Sequence, residues 1–160
     1  MKPSRSATSA YARRAVAHLR DADPALARVI DAVGPLRLEQ KQTVSLFAAL
    51  AESIAYQQLA GRAAATIWGR VTAAVGAAFT PEAVLATPVE QLRGAGLSGA
   101  KTAALVDLAT RCADGSLRLD RIGRMEDAAV IEHLTVVRGI GPWTAQMFLL
   151  FDLRRIDVWP

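Results

Sequence analysis

The sequence predicts an all-α protein, and three observations carry the prediction. Apolar residues recur at helical spacing through most of the chain, and strict two-residue alternation over a strand's length is rare. Prolines and glycines also fall where such helices would start and stop. A chain of 160 residues, 52% of them apolar, can bury one sizeable core, so a single helical domain over residues 1–160 is expected. Residues 1–20 belong to it only loosely, as a basic lead-in carrying Lys2, Arg5, Arg13 and Arg14.

Taken in order, the apolar spacing predicts helices over Ala10–Leu19, Pro24–Val33, Thr43–Leu59 and Gly61–Val75. Thr80-Pro81-Glu82 places a capping hydroxyl before a proline at the first helical position, and Thr87-Pro88 repeats the arrangement, so two short helices should follow. Gly94, Gly96 and Gly99 interrupt the pattern before a longer helix from Ala100 to Cys112, with Ser98 as its candidate cap and Asp114-Gly115 as its stop. Residues Ser116–Arg124 read as extended or irregular. Helical spacing resumes over Glu126–Leu134, and a last helix should run from Pro142 to Phe151.

Several classes of function are disfavoured by composition. No run of about 18 apolar residues is present to span a bilayer, and no apolar core follows the basic start as a secretory signal requires. The single cysteine, Cys112, cannot form an internal disulfide or supply the thiolates of a zinc or iron-sulfur site, which suits a reducing, intracellular compartment. His18 and His133 lack metal-ligand spacing and a nucleophile partner, so both read as structural or surface residues, and no cofactor is expected. Basic residues outnumber acidic ones 19 to 15, for a net charge of +4. That balance is compatible with a polyanionic partner but does not demand one.

The motif with chemical content is the tight turn Gly139-Ile140-Gly141 between two helices, the second opening at Pro142. Glycines at both ends allow positive φ and let the backbone approach another molecule without a Cβ in the way. Pro142 lacks an N–H where the helix has no use for one. The second helix then presents free amides and the positive end of its dipole, a ready site for a phosphate. Such contacts ignore base identity and fix the position of a protein on a nucleic-acid backbone. The plainer alternative is a sharp connection between packed helices. Dinucleotide binding is a further alternative, with Leu134–Val137 as a strand before the glycines, but too few residues follow Thr144 to complete a βαβ unit.

The run from Arg138 to Phe148 resembles the hairpin of the 3-methyladenine DNA glycosylase II family, within the helix-hairpin-helix DNA glycosylase superfamily. Two further segments resemble the same family in the same order, Phe47–Ala64 and Leu92–Lys101, and the likeness runs from Phe47 to Pro160. The resemblance implies the helix-hairpin-helix glycosylase fold. It also implies hydrolysis of the bond between deoxyribose and an alkylated purine, the base being rotated out of the duplex into a pocket. Double-stranded DNA containing alkylated bases would be the partner, engaged by a monomer, in the cytoplasm and on the nucleoid in a bacterium.

Residue by residue, the resemblance nominates Gly139, Ile140, Gly141, Trp143, Thr144, Lys101 and Arg62 for DNA contact, and Tyr56, Gln57, Gln58, Trp143 and Met147 for the base pocket. Aromatic faces and polarisable sulfur suit a flat, electron-poor base. Relatives that also cut the strand place a lysine nucleophile where this chain has Trp143, and tryptophan cannot form a Schiff base, so water is the expected nucleophile. The plainer readings are a core aromatic for Trp143, a solvated helix face for Gln57 and Gln58, and ordinary surface charge for Lys101 and Arg62. Gln58-Leu59-Ala60 could instead fill the gap left in the DNA stack. The family hairpin also implies a monovalent cation on the backbone carbonyls of Thr135, Val137 and Ile140.

In the family pattern a stretch like Asp157-Val158-Trp159-Pro160 is followed within a few residues by the catalytic carboxylate. No residue up to Pro160 matches it, and Asp157 and Asp152 lie on the wrong side of that stretch. The closing C-terminal helices of the fold are likewise expected to be lacking from residues 1–160. A fragment, or a non-catalytic helix-hairpin-helix DNA-binding module, is therefore the alternative to a complete enzyme.

Overall fold

The computed structural model describes residues 5–35, 45–155 and 157–160, and these contain helices, turns and no strand. Where the sequence suggests one domain, the contacts group the chain into two compact units, residues 1–41 and 42–160.

In the first unit, α1 spans Arg5–Ala22 and α2 spans Pro24–Val33, so the expected first helix extends at both ends. Asp23 separates them by capping α2: its carboxylate accepts the amides of Ala25 and Leu26 at 2.7 and 3.2 Å, while Pro24 occupies the first turn. An ion pair between Arg20 and Asp31 at 2.7 Å joins the two helices, with both side chains about half exposed. Exposed pairs of this kind contribute little stability.

The second unit is built around α3, Leu46–Tyr56, which buries Phe47, Ala48, Ala49, Leu50, Ala51, Ile54 and Ala55. A helix apolar nearly all round must be covered on several sides. Accordingly α3 packs against α4 (Gly61–Val75), α7 (Gly99–Ala113) and α9 (Pro142–Phe151). The short helices α5 (Pro81–Ala86) and α6 (Val89–Gly94) lie on α7, and α8 (Asp127–Thr135) lies on α9. Phe79 links α4 to the core by meeting Trp68 edge-on at 4.9 Å and Phe47 at 5.8 Å between ring centroids.

Local chemistry explains most boundaries. Ser45, Thr80 and Ser98 each accept an amide from the first turn of the helix they precede, at 3.1, 3.2 and 3.3 Å. Thr87 departs from the expected repeat, because its hydroxyl bonds back to the Ala83 carbonyl at 2.8 Å and it closes α5 instead of capping α6. The N-cap of α6 is Pro88, without a side-chain bond. Expected to reach Leu59, α3 ends at Tyr56, and its expected start at Thr43 lies outside the described residues. Within the irregular stretch 116–124, Ile122–Arg124 forms a short 3₁₀ turn. No strand precedes the hairpin, since Leu134 is inside α8. The dinucleotide reading fails on that point.

Candidate nucleic-acid interface

The hairpin follows directly from the end of α8. The Val137 amide donates to the Leu134 carbonyl and the Ile140 amide to the Val137 carbonyl, both at 3.1 Å, while the Val137 and Ile140 side chains are buried. At Gly139 the chain turns left-handed, φ +77°, and a Cβ there would stand 3.2 Å from the Ala104 Cβ of α7. The left-handed backbone favours glycine, and the tight space against α7 adds to that preference. Gly141 differs from the expectation of positive φ at both ends: its φ of −95° and ψ of 175° are extended, and a Cβ would meet nothing within 4 Å. The close approach at Gly139 is to the protein's own α7, whereas Gly141 opens outward. α9 then begins at Pro142 with no side-chain cap, so the N–H groups of its first turn remain available at the positive end of the helix.

Three side chains fasten this hairpin to the end of α3 through α7. The Asp107 carboxylate accepts the Arg138 amide at 2.8 Å and the Arg111 guanidinium Nε at 3.0 and 3.1 Å. Burial raises the carboxyl's pKa, but the Arg138 amide and the Arg111 hydrogen bond and charge together hold it below its ordinary value. The Lys101 ammonium donates to the carbonyls of Ala55 and Gln57 at 2.9 and 2.6 Å, satisfying oxygens at the negative end of α3. Burial lowers its pKa. Gln57 completes the circuit, its side-chain amide donating to the Gly139 carbonyl at 2.9 Å.

Trp143 is 61% exposed, which excludes the core-aromatic alternative. Tyr56 and Met147 are half-buried, and they stand on helices that pack together. Gln57 and Lys101 are engaged as described, so neither is simply a solvated side chain. Gln58 is exposed with a left-handed φ of +56°, and Leu59 beside it is also exposed. Thr144 and Ile140 have buried side chains, so their backbones alone can face a ligand. Arg62 is exposed in the first turn of α4. Sequence reasoning passed over Asp107. Its spacing to Arg111 shows only a helical ion pair, and nothing in the pattern reveals a partner in the hairpin.

The proposed cation ligands are hard carbonyl oxygens on one turn, chemistry that suits a monovalent ion, although the Val137 carbonyl already accepts the Ile140 amide. Among the described residues no cluster of three or more His, Cys, Asp or Glu could hold a metal. His133 has a structural role, its Nε2 accepting the Arg118 amide at 3.1 Å. The Cys112 thiol is pushed up to about 11 by burial and then by the charges of Asp114 and Glu82. It is therefore a poor nucleophile at neutral pH. A shallow hollow of about 470 Å³ lined by Phe47, Cys112 and Arg118 contains none of the nominated pocket residues. Among the described residues no helix is long and apolar enough to cross a membrane.

Residues 51–150 match the HhH-GPD superfamily of base excision DNA repair proteins, and the chain belongs to that family. It is 32% identical over 154 residues to DNA-3-methyladenine glycosylase 1 of Schizosaccharomyces pombe, covering 92% of this chain and 66% of that protein. It is 36% identical over 121 residues to DNA-3-methyladenine glycosylase of Saccharomyces cerevisiae, covering 70% of this chain and 41% of that protein. The chain thus spans less than two thirds of these relatives' lengths. In structure it resembles the S. pombe 3-methyladenine DNA glycosylase solved in complex with abasic DNA, with a TM-score of 0.83 and 30% identity over 92% of this chain and 73% of that one.

Proposed function

We propose that this protein is a base-excision-repair DNA glycosylase hydrolysing the N-glycosidic bond of alkylated purines such as 3-methyladenine, with water as nucleophile. The observation that carries the reading is the outward-opening Gly141 at the uncapped start of α9, beside an exposed Trp143. Backbone amides there suit a DNA phosphate and ignore base identity. Trp143 beside them offers a π face to a cationic base and no amine for a covalent step. The names of the relatives support the choice of substrate.

In the reaction, the bond from C1′ to the purine nitrogen breaks, the purine leaves with the bonding pair, and water adds to C1′ with loss of its proton. Positive charge builds on the sugar and requires a carboxylate held nearby in a dry site. Asp107 is committed to the hairpin and Arg111, and Asp157 is exposed. We assign the catalytic role to neither, in keeping with the position after Pro160 that the resemblance implies. The carbonyls of Thr135, Val137 and Ile140 would hold a monovalent cation, which would supply positive charge at the hairpin. The site acts on DNA inside the cell, as one copy of the chain on one duplex.

The test is salt titration of duplex binding. With about three to five phosphates contacted, log affinity should fall against log salt with a slope of roughly −3 to −5, at about −0.9 per phosphate. A flat response, or equal affinity for an uncharged nucleic-acid analogue, overturns backbone binding.

A further inference from the structure

We infer that Lys101 and Asp107 are positioning residues for DNA engagement: α7 holds the turn after α3 and the hairpin in one fixed pose, so that both meet the duplex together. The inference rests on the DNA-binding reading above. The two side chains lie about 9 Å apart along α7, at about 1.5 Å per residue, and each fastens a different segment. Lys101 holds the last carbonyls of α3 through Ala55 and Gln57, and Asp107 holds the Arg138 amide. Between them Ala104 leaves little room for a side chain at Gly139, and Gln57 ties the turn to the Gly139 carbonyl.

Charge sharpens the argument. A carboxylate beside a phosphate site repels the ligand, so Asp107 should weaken binding unless its service to the hairpin outweighs that repulsion. Its charge is offset by Arg111, and the amide it captures belongs to the hairpin itself. Lys101, conversely, has the charge expected of a phosphate contact, yet its ammonium is occupied by two carbonyls. A lysine satisfied in this way orders the turn more than it attracts DNA.

Binding of undamaged duplex by the 160-residue chain and its variants, titrated from 50 to 200 mM salt at a temperature where circular dichroism shows each to be folded, tests this. Lys101→Met should weaken binding about tenfold with the salt slope unchanged, whereas loss of a phosphate contact would reduce the slope by about 0.9. Asp107→Ala should weaken binding similarly, and Asp107→Asn, which keeps an acceptor for the Arg138 amide, should restore it. A reduced slope in Lys101→Met, or tighter or unchanged binding by Asp107→Ala, overturns the inference. If either truncated variant fails to fold, Lys101→Arg and Asp107→Asn decide. A positioning lysine is not replaced by the broader guanidinium, so Lys101→Arg should bind about tenfold more weakly; wild-type affinity for Lys101→Arg, or weakened binding by Asp107→Asn, overturns the proposal. Wild-type binding with unaltered variants overturns the inference alone, while absence of wild-type binding overturns the DNA-binding reading and this inference with it.

Discussion

At Gly139 the backbone is left-handed and faces Ala104, so Gly139→Ala should lower stability by about 1–2 kcal/mol from the conformation alone. The thermal midpoint reads that loss. Gly141→Glu should do the opposite, leaving the midpoint near wild type and weakening duplex binding, because its extended backbone accepts any residue and its Cβ points into open space. Wild-type binding by that variant would reduce the hairpin to a connection. The sequence marked both glycines but could not tell them apart, since φ at each depends on what packs against the turn. Asp107 adds a pH dependence. Its folded pKa lies below its ordinary value of 3.8, so its contribution is complete above that pH and disappears as pH falls through the depressed value. Acid unfolding of wild type and Asp107→Asn should therefore diverge only below about pH 4, with the variant losing less stability on acidification.

Among the elements, those whose ends carry their own punctuation were legible. Pro24–Val33, Gly61–Val75 and Pro142–Phe151 match their expected bounds, two of them opened by proline and two followed by a left-handed glycine, Gly34 and Gly76. The end of α3 was not legible, because Gln57-Gln58-Leu59 continues a helical pattern while Lys101 claims the carbonyls that further turns would use. A partner distant in sequence leaves no local trace. Two substitutions measure how much these helices matter. Leu50→Ala, at a fully buried position of α3, should cost about 2–5 kcal/mol in chemical denaturation. Ser98→Ala should cost about 1 kcal/mol by removing the cap of α7. Because the amide Ser98 holds is that of Lys101, the Ser98 variant should also weaken duplex binding.

For the molecule as a whole, recognition and chemistry make separate demands on the chain. On the proposed function, residues 1–160 are expected to bind alkylated duplex while releasing 3-methyladenine at least about 10² to 10³ times more slowly than a glycosylase with its carboxylate in place, by analogy with the loss of a transition-state stabilising group. Base release measured by chromatography decides. Robust excision would move the catalytic role onto a carboxylate within these residues, with Asp157 the first to substitute. The fold class was legible because helical spacing repeats along the chain, whereas the fastening of the hairpin was not, since it joins residues from three distant segments. That fastening takes hold of the main chain: carbonyls of Ala55, Gln57 and Gly139, the amide of Arg138, and the bare Cα of Gly139. The exposed side chain of Arg138 makes none of those bonds. That position can therefore change in charge and size while the hairpin keeps its place, so the surface offered to a ligand can vary over a constant frame.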